Sequence, residues 1–480
     1  LQDPFISDWD GFDYTVHVVQ HKPSTLGLGR ALFLGYNSGL WELAHTWAGL
    51  SPEKAYLALR YGVIAQAGAG VIGVYALCKE LTASRLASFF GALIVSLSPY
   101  YIIYSGRAMS EVPGLLALSW SLWWMARSLR TGKTGRFLAA AALLGLSANI
   151  REFAVFYFPF IPVAARIYRG RWRTGFVALL LAVVCAFVGI IFWKLYDDLY
   201  WGEVVKWYRL SAAERRIHPV TSANLWFFAD YAFNCSVIVL VITPLAVVWL
   251  WSRPRLRALA ALGLLGLAAN LALLANHDLA VNPRYLLTGL LGLAAACGWC
   301  LAELIRRHRV WAAPLLVGLI VLTKGSYNHM AKELYDQQWG ARAARDYVAK
   351  ITDLPWNSAF IVGARTPLIH FLAGVKARPY WLTIAPGSGW PDDKLGEAIQ
   401  DFFYAGRKVY VDFDPELWQK GAREISREAV GLEMIKREYR LEHVRDSFYR
   451  ILGRNEESPQ EPKTERTDAP VKSRRARSER

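Results

Sequence analysis

Ten apolar windows follow one another along this chain, and Lys and Arg gather in every second connection between them. That alternation restricts the fold more than any other feature. The windows fall at about 56–78, 84–104, 112–126, 137–150, 153–166, 174–195, 232–251, 258–276, 285–305 and 310–328. A helix needs about 20 predominantly apolar residues to cross the hydrocarbon layer, so most qualify outright. The windows 137–150 and 153–166 are shorter and read as tilted or partly inserted helices. Such pieces persist only when buried against protein or lining a wet cavity.

The basic clusters are Lys79/Arg85, then Arg127, Arg130, Lys133 and Arg136, then Arg166, Arg169, Arg171 and Arg173. Arg253, Arg255 and Arg257 follow, and finally Arg306, Arg307 and Arg309. All of them can face the cytoplasm at once, which predicts a bundle of about ten transmembrane helices over residues 55–329. The other connections then face outward: 1–54, 105–111, the turn near 149–152, 197–230, 276–284 and everything after about 329. An outward segment as long as 1–54 needs a span before it, so an eleventh helix preceding Leu1 is expected. A net charge of +16 invites a nucleic-acid reading. Basic residues placed in short loops between apolar segments speak instead for membrane orientation. With 54% hydrophobic residues and 20 Trp, the chain is too apolar for an ordinary soluble protein of 480 residues.

Beyond Lys324 the composition turns soluble. Strand-like runs at 359–363, 379–384 and 407–412 alternate with helical patterns at about 337–350, 392–405 and 415–430. A small extracytoplasmic α/β domain at 330–453 is expected, followed by a basic, disordered tail at 454–480. Cys297-Gly298-Trp299-Cys300 has redox spacing but sits in apolar helix, where thiols more often pack than react. Gly68, Gly70 and Gly73 are expected to allow close helix packing. No P-loop or dinucleotide pattern is present; Gly387-Ser388-Gly389 reads as a turn.

Polar residues that interrupt apolar context share the outward side. Asp8, Asp10 and Asp13 form an acidic segment ahead of the first window; Arg107 and Glu111 mark the entry to another helix. Asn149, Arg151 and Glu152 join the two short windows, and His277, Asp278, Asn282, Arg284 and Tyr285 lead into a late span. A charge at the bilayer centre costs about 2.5–3.5 kcal/mol on insertion scales, so charges kept near that boundary are candidates for function. At helix ends, solvated or snorkelling side chains are the competing explanation. Guanidinium forks suit phosphate, and a partly desolvated carboxylate can serve as general base toward a hydroxyl. Together they suit transfer from a lipid-linked phosphate donor to a hydroxyl acceptor.

In these residues the chain resembles the GT-C class of membrane glycosyltransferases, in the branch with the protein O-mannosyltransferases and the lipid A aminoarabinose transferase. Asp8-x-Asp10-x-x-x-Tyr14 is similar to the acidic motif of that family's first outward loop. Gly11 stands where many members carry an acid, which passes a second carboxylate role to Asp13 or Asp8. Glu111, in Ser110-Glu111-Val112-Pro113, resembles the family's second acid; Arg151-Glu152 and Pro283-Arg284-Tyr285 resemble its basic elements. The resemblance covers roughly residues 1–330. It implies a polytopic, mainly α GT-C-like bundle in a bacterial inner membrane, with an outward, periplasmic active face. It also implies an inverting transfer with Asp10 as base and Asp8, Asp13 and Glu111 as further catalytic acids. Arg284, Arg151 and Tyr285 would hold the polyprenyl phosphate, and a divalent ion could sit on Asp10, Glu111 and His277. The partners would be the bilayer, a polyprenyl-phosphate sugar and a protein, glycolipid or glycan acceptor. The competing readings are a secondary transporter, which would place its charges near the midplane of two related halves, and a membrane anchor displaying the C-terminal domain.

Overall fold

The computed structural model describes residues 9–22, 30–196, 246–276, 284, 287–311, 342–383, 392–414 and 429–455, with short pieces between them. Two compact units result. The first comprises Leu1–Leu354 with Pro367–Pro379; the second comprises Pro355–Thr366 with Tyr380–Arg480.

The first unit is helical. Its elements are α1 (Trp9–Gln20), α2 (Ala31–Ala48), α3 (Ala55–Thr82), α4 (Arg85–Ser96), α5 (Pro99–Ser105), α6 (Glu111–Thr131) and α7 (Thr134–Ser147). A 3-10 turn at Glu152–Tyr157 leads to α8 (Phe160–Arg169), α9 (Trp172–Ala186) and α10 (Val188–Tyr196). Further on come α11 (Arg257–Asn276) and α12 (Leu287–Arg307). Among the described residues four helical stretches are long and apolar enough to span a membrane, or five if the bent pair α4–α5 counts as one. That pair covers the expected window 84–104 and turns by 65°. Pro99 stands at the start of α5, where its missing N–H interrupts the backbone ladder. The short windows 137–150 and 153–166 become α7 and the 3-10 turn plus α8. Most of the windows 232–251 and 310–328, the 197–230 connection and the tail beyond residue 455 lie outside the described residues.

The bundle packs α3 on α4 and α6, α12 on α4 and α11, and α7 on α6 and α9. Of the three early glycines, Gly70 and Gly73 face α6, whereas Gly68 faces open space. One end of the bundle is tied by basic residues reaching between helices: Arg130 pairs with Glu80 at 2.7 Å, and Arg169 Nε donates to the Leu129 carbonyl at 2.7 Å. Arg306 donates to Ser84 Oγ, which also caps α4 by accepting from the Ala87 N–H. Cys297 and Cys300 are buried in α12, in keeping with the packing role their apolar surroundings indicate.

α9 and α10 are held across their junction by one side chain. Asn149 donates from Nδ2 to the Cys185 carbonyl at 3.0 Å and accepts the Gly189 N–H on Oδ1 at 2.9 Å. Asn149, grouped in the sequence with the outward polar residues, is thus a brace between α7 and the α9–α10 junction.

The second unit is built on a sheet of order β2-β1-β3-β7-β6. β1 (Ser358–Ile361), β2 (Leu382–Thr383) and β3 (Lys408–Asp412) run parallel; β1 and β3 are buried, as strands inside a parallel sheet are, and β2 is a partly exposed edge. The segment between β2 and β3 carries a helix at Asp392–Tyr404. One expectation is corrected. The helix expected at 415–430 is replaced in its described part by the small pair β4 (Gln419–Lys420) and β5 (Glu424–Ile425), with the next helix starting only at Ala429. The hairpin of β6 (Tyr439–Arg445) and β7 (Phe448–Arg454), absent from the sequence reading, closes the sheet antiparallel to β3. A ring stack of Phe360, Tyr410 and Phe448, with centroids 5.8–6.0 Å apart, crosses β1, β3 and β7.

Candidate active site

Two carboxylates occupy the first turns of their helices, Asp10 in α1 and Glu111 in α6. Exposed N–H groups and the helix dipole favour negative charge at both places. Arg151 lies just past α7 in an extended conformation. Its backbone comes so close to α6 that a Cβ on Gly114 would lie 2.6 Å from Arg151 Cβ, so only glycine fits there.

These side chains form one linked row. Arg284 Nη2 donates to Asp10 Oδ2 at 2.8 Å, and Arg284 Nε lies 3.4 Å from Glu111 Oε1. The same Glu111 oxygen lies 3.1 Å from Arg151 Nη2, while Arg151 Nη1 donates to Ser110 Oγ at 3.4 Å. A second pair flanks the row: Arg30 meets Glu152 at 2.6 Å and 3.1 Å through its two terminal nitrogens. Three carboxylates thus face three guanidiniums, which keeps a largely dry cluster neutral.

Exposure separates the members. The side chains of Glu111, Arg151 and Arg284 are 2%, 4% and 7% exposed, while Asp10 keeps 19% and is the carboxylate of the row that water can reach. Burial pushes the Asp10 carboxyl above its ordinary range, and the Arg284 guanidinium partly holds it down. Tyr14, one turn further along α1, is fully buried edge-on to Phe33, with its hydroxyl acidity suppressed by burial.

Asp10, Glu111, Arg151 and Arg284 therefore converge from four separate stretches of sequence. Asp13 makes a different contact, with His17 at 3.1 Å on its own helix. Asp8, Tyr285 and His277, also candidates from the sequence, lie outside the described residues. Arg30, buried and two-armed on Glu152, was not among the candidates; a single Arg after a Gly-containing segment carries no anomaly in the sequence. The expected divalent site is not assembled by the described residues. Asp10 and Glu111 both turn to Arg284, which occupies the ground between them, and no three His, Cys, Asp or Glu side chains gather among the described residues.

Residues 53–193 match the family model of dolichyl-phosphate-mannose-protein mannosyltransferases. No curated protein sequence matches the chain. Among solved structures, ArnT from Cupriavidus metallidurans bound to undecaprenyl phosphate aligns with a TM-score of 0.58 at 12% identity, over 87% of this chain and 87% of that one. The archaeal oligosaccharyltransferase AglB from Archaeoglobus fulgidus, in complex with an inhibitory peptide and a dolichol-phosphate, aligns with a TM-score of 0.54 at 10% identity, over 94% of this chain and 71% of that one. At such identities the likeness is one of fold. The chain has the GT-C fold of membrane glycosyltransferases, the class its motifs resemble.

Proposed function

We propose that the protein is a multi-pass membrane glycosyltransferase that moves a sugar from a polyprenyl-phosphate donor to a hydroxyl acceptor. The acceptor is a protein, glycolipid or glycan, met on the outward face of the inner membrane. The observation that carries this reading is the buried row Asp10–Arg284–Glu111–Arg151, open to water at its Asp10 end.

Asp10 takes the acceptor proton as the hydroxyl oxygen attacks the anomeric carbon. The new glycosidic bond forms on one face while the bond to phosphate breaks on the other, its electron pair leaving with the polyprenyl phosphate. Inversion follows from that single displacement. Arg284 and Arg151 are placed to receive the developing phosphate charge, fixed in advance by Glu111 and Ser110. Such preorganised cations help most where water is scarce.

The neutral count of the cluster has a mechanistic use. A donor phosphate arriving at Arg284 competes with Asp10 for the same guanidinium. Its negative charge also opposes ionised Asp10, so donor binding strengthens Asp10 as a base when one is needed.

The test is Asp10→Asn in membranes supplied with labelled polyprenyl-phosphate sugar. A general base contributes about 100- to 10,000-fold, so transfer should fall by that order while the protein still accumulates in the membrane. Unchanged transfer would remove Asp10 from the reaction. Lipid extraction of the purified protein followed by mass analysis would identify the donor.

A further inference from the structure

The helical unit holds a cavity of about 470 Å³ between α6 and α7, which begins beside the polar row at Leu32 and Ile150 and extends away from it. Its lining runs from Ala117 to Thr131 on α6, and from Arg136 to Ser147 on α7 with Ile150 just beyond it. At 1.5 Å per residue that is a groove of about 21 Å. One leaflet of a bilayer contributes about 15 Å of hydrocarbon, so a single acyl chain fits its length.

The groove is preformed. Trp120 sits against Gly73 of α3 and donates its indole N–H to the Ala69 carbonyl at 3.0 Å; Trp123 packs edge-on to it at 5.2 Å. The charges on its lining are Arg127 and Arg136, both at one end, and neither pairs with an acid among the described residues. Arg127 lies 5.2 Å over the Trp123 ring. Next to it, Ser128 lines the same cavity, 2% exposed, and its hydroxyl has no hydrogen-bond partner among the described residues. Buried hydroxyls normally have one.

We propose that this groove binds an anionic glycerophospholipid, with one acyl chain along the tryptophans and the phosphate on Arg127, Arg136 and the Ser128 hydroxyl. Arg127 lies about 24 Å along α6 from Glu111, so the lipid belongs to the leaflet remote from the polar row. A polyprenyl tail with its phosphate at Arg284 would fill the groove from the other end and leave both arginines without a counter-charge. Basic residues at this end also orient a chain in the bilayer, but orientation needs neither a groove nor an unpartnered hydroxyl.

The full chain in nanodiscs of phosphatidylcholine, with or without phosphatidylglycerol, provides the test by native mass spectrometry. Retention of one phosphatidylglycerol in preference to phosphatidylcholine is expected. Affinity should fall about fivefold for each arginine removed, or about 25-fold in Arg127→Gln/Arg136→Gln. Leu143→Trp, which fills the groove and leaves both arginines in place, should also abolish retention. Equal retention of phosphatidylcholine, or undiminished retention in either variant, overturns the proposal. Displacement of phosphatidylglycerol by undecaprenyl phosphate, one for one, overturns it in favour of the donor tail.

Discussion

Arg284 touches both carboxylates of the row, and its replacement separates a catalytic role from a structural one. Arg284→Gln keeps a polar side chain but removes the charge 2.8 Å from Asp10 and 3.4 Å from Glu111. Loss of one preorganised group that stabilises developing charge costs about 2.7–4 kcal/mol of barrier, or roughly 100- to 1,000-fold in kcat. The pH profile carries the sharper signature. Asp10 accepts a proton only when ionised, so the rate falls as pH drops through its pKa, which burial sets above the ordinary aspartate range. Arg284 is the largest influence holding that pKa down, so its removal must move the acidic limb to higher pH. Arg284→Lys keeps the charge and should leave the limb near its original position, with a loss of rate from the missing fork. Initial rates across pH, in detergent with a defined polyprenyl-phosphate sugar, give both readouts. An Arg284→Gln enzyme within threefold of the parent, or one whose limb moves to lower pH, would refute the assignment.

Three further outcomes follow from the geometry. Asp13→Asn should retain transfer within about threefold, since Asp13 pairs with His17 on its own helix; a loss of the size expected for Asp10→Asn would restore Asp13 as a catalytic acid. Gly114→Ala places a methyl against Arg151 and should lower kcat by up to about 100-fold, the order that a 1 Å displacement costs; full activity would mean that Arg151 need not hold its place. In the second unit, hydrogen bonds from Arg454 and Arg437 hold the Glu438 carboxyl below the ordinary glutamate range. Their stabilisation is complete above that range and is lost as pH falls through the lowered pKa. Amide exchange in the β6–β7 hairpin of the full chain should rise on acidification, and Arg454→Gln should flatten that response.

What could be read from the sequence follows the cost of misplacing each residue. Glu111, Arg151 and Arg284 stood out because ionisable groups beside apolar helix are expensive, and the structure gathers all three with Asp10. Asn149 stood out on the same side, yet it satisfies backbone groups at the α9–α10 junction. A polar residue in apolar surroundings announces a partner without saying whether that partner is substrate or backbone. Arg30 escaped notice because what makes it unusual is its burial against Glu152, a residue distant in sequence. The window 84–104 averaged over Pro99 and so hid a 65° bend. The β6–β7 hairpin carries charged residues along its exposed face, and its turn at Asp446 takes a left-handed backbone that no glycine advertises.

The helix that carries Asp10 is completed from the far end of the chain. The segment Pro367–Pro379 belongs to the helical unit. There Phe371 and Val375 pack on Val16, and Gln20 Nε2 donates to the Gly374 carbonyl 354 positions downstream. Arg284 reaches Asp10 across 274 positions. A ribosome that has released only the early spans has therefore made an acid without its cation and a helix without its cover. The row is complete only late in synthesis, after Arg284 and the Pro367–Pro379 segment have both been made.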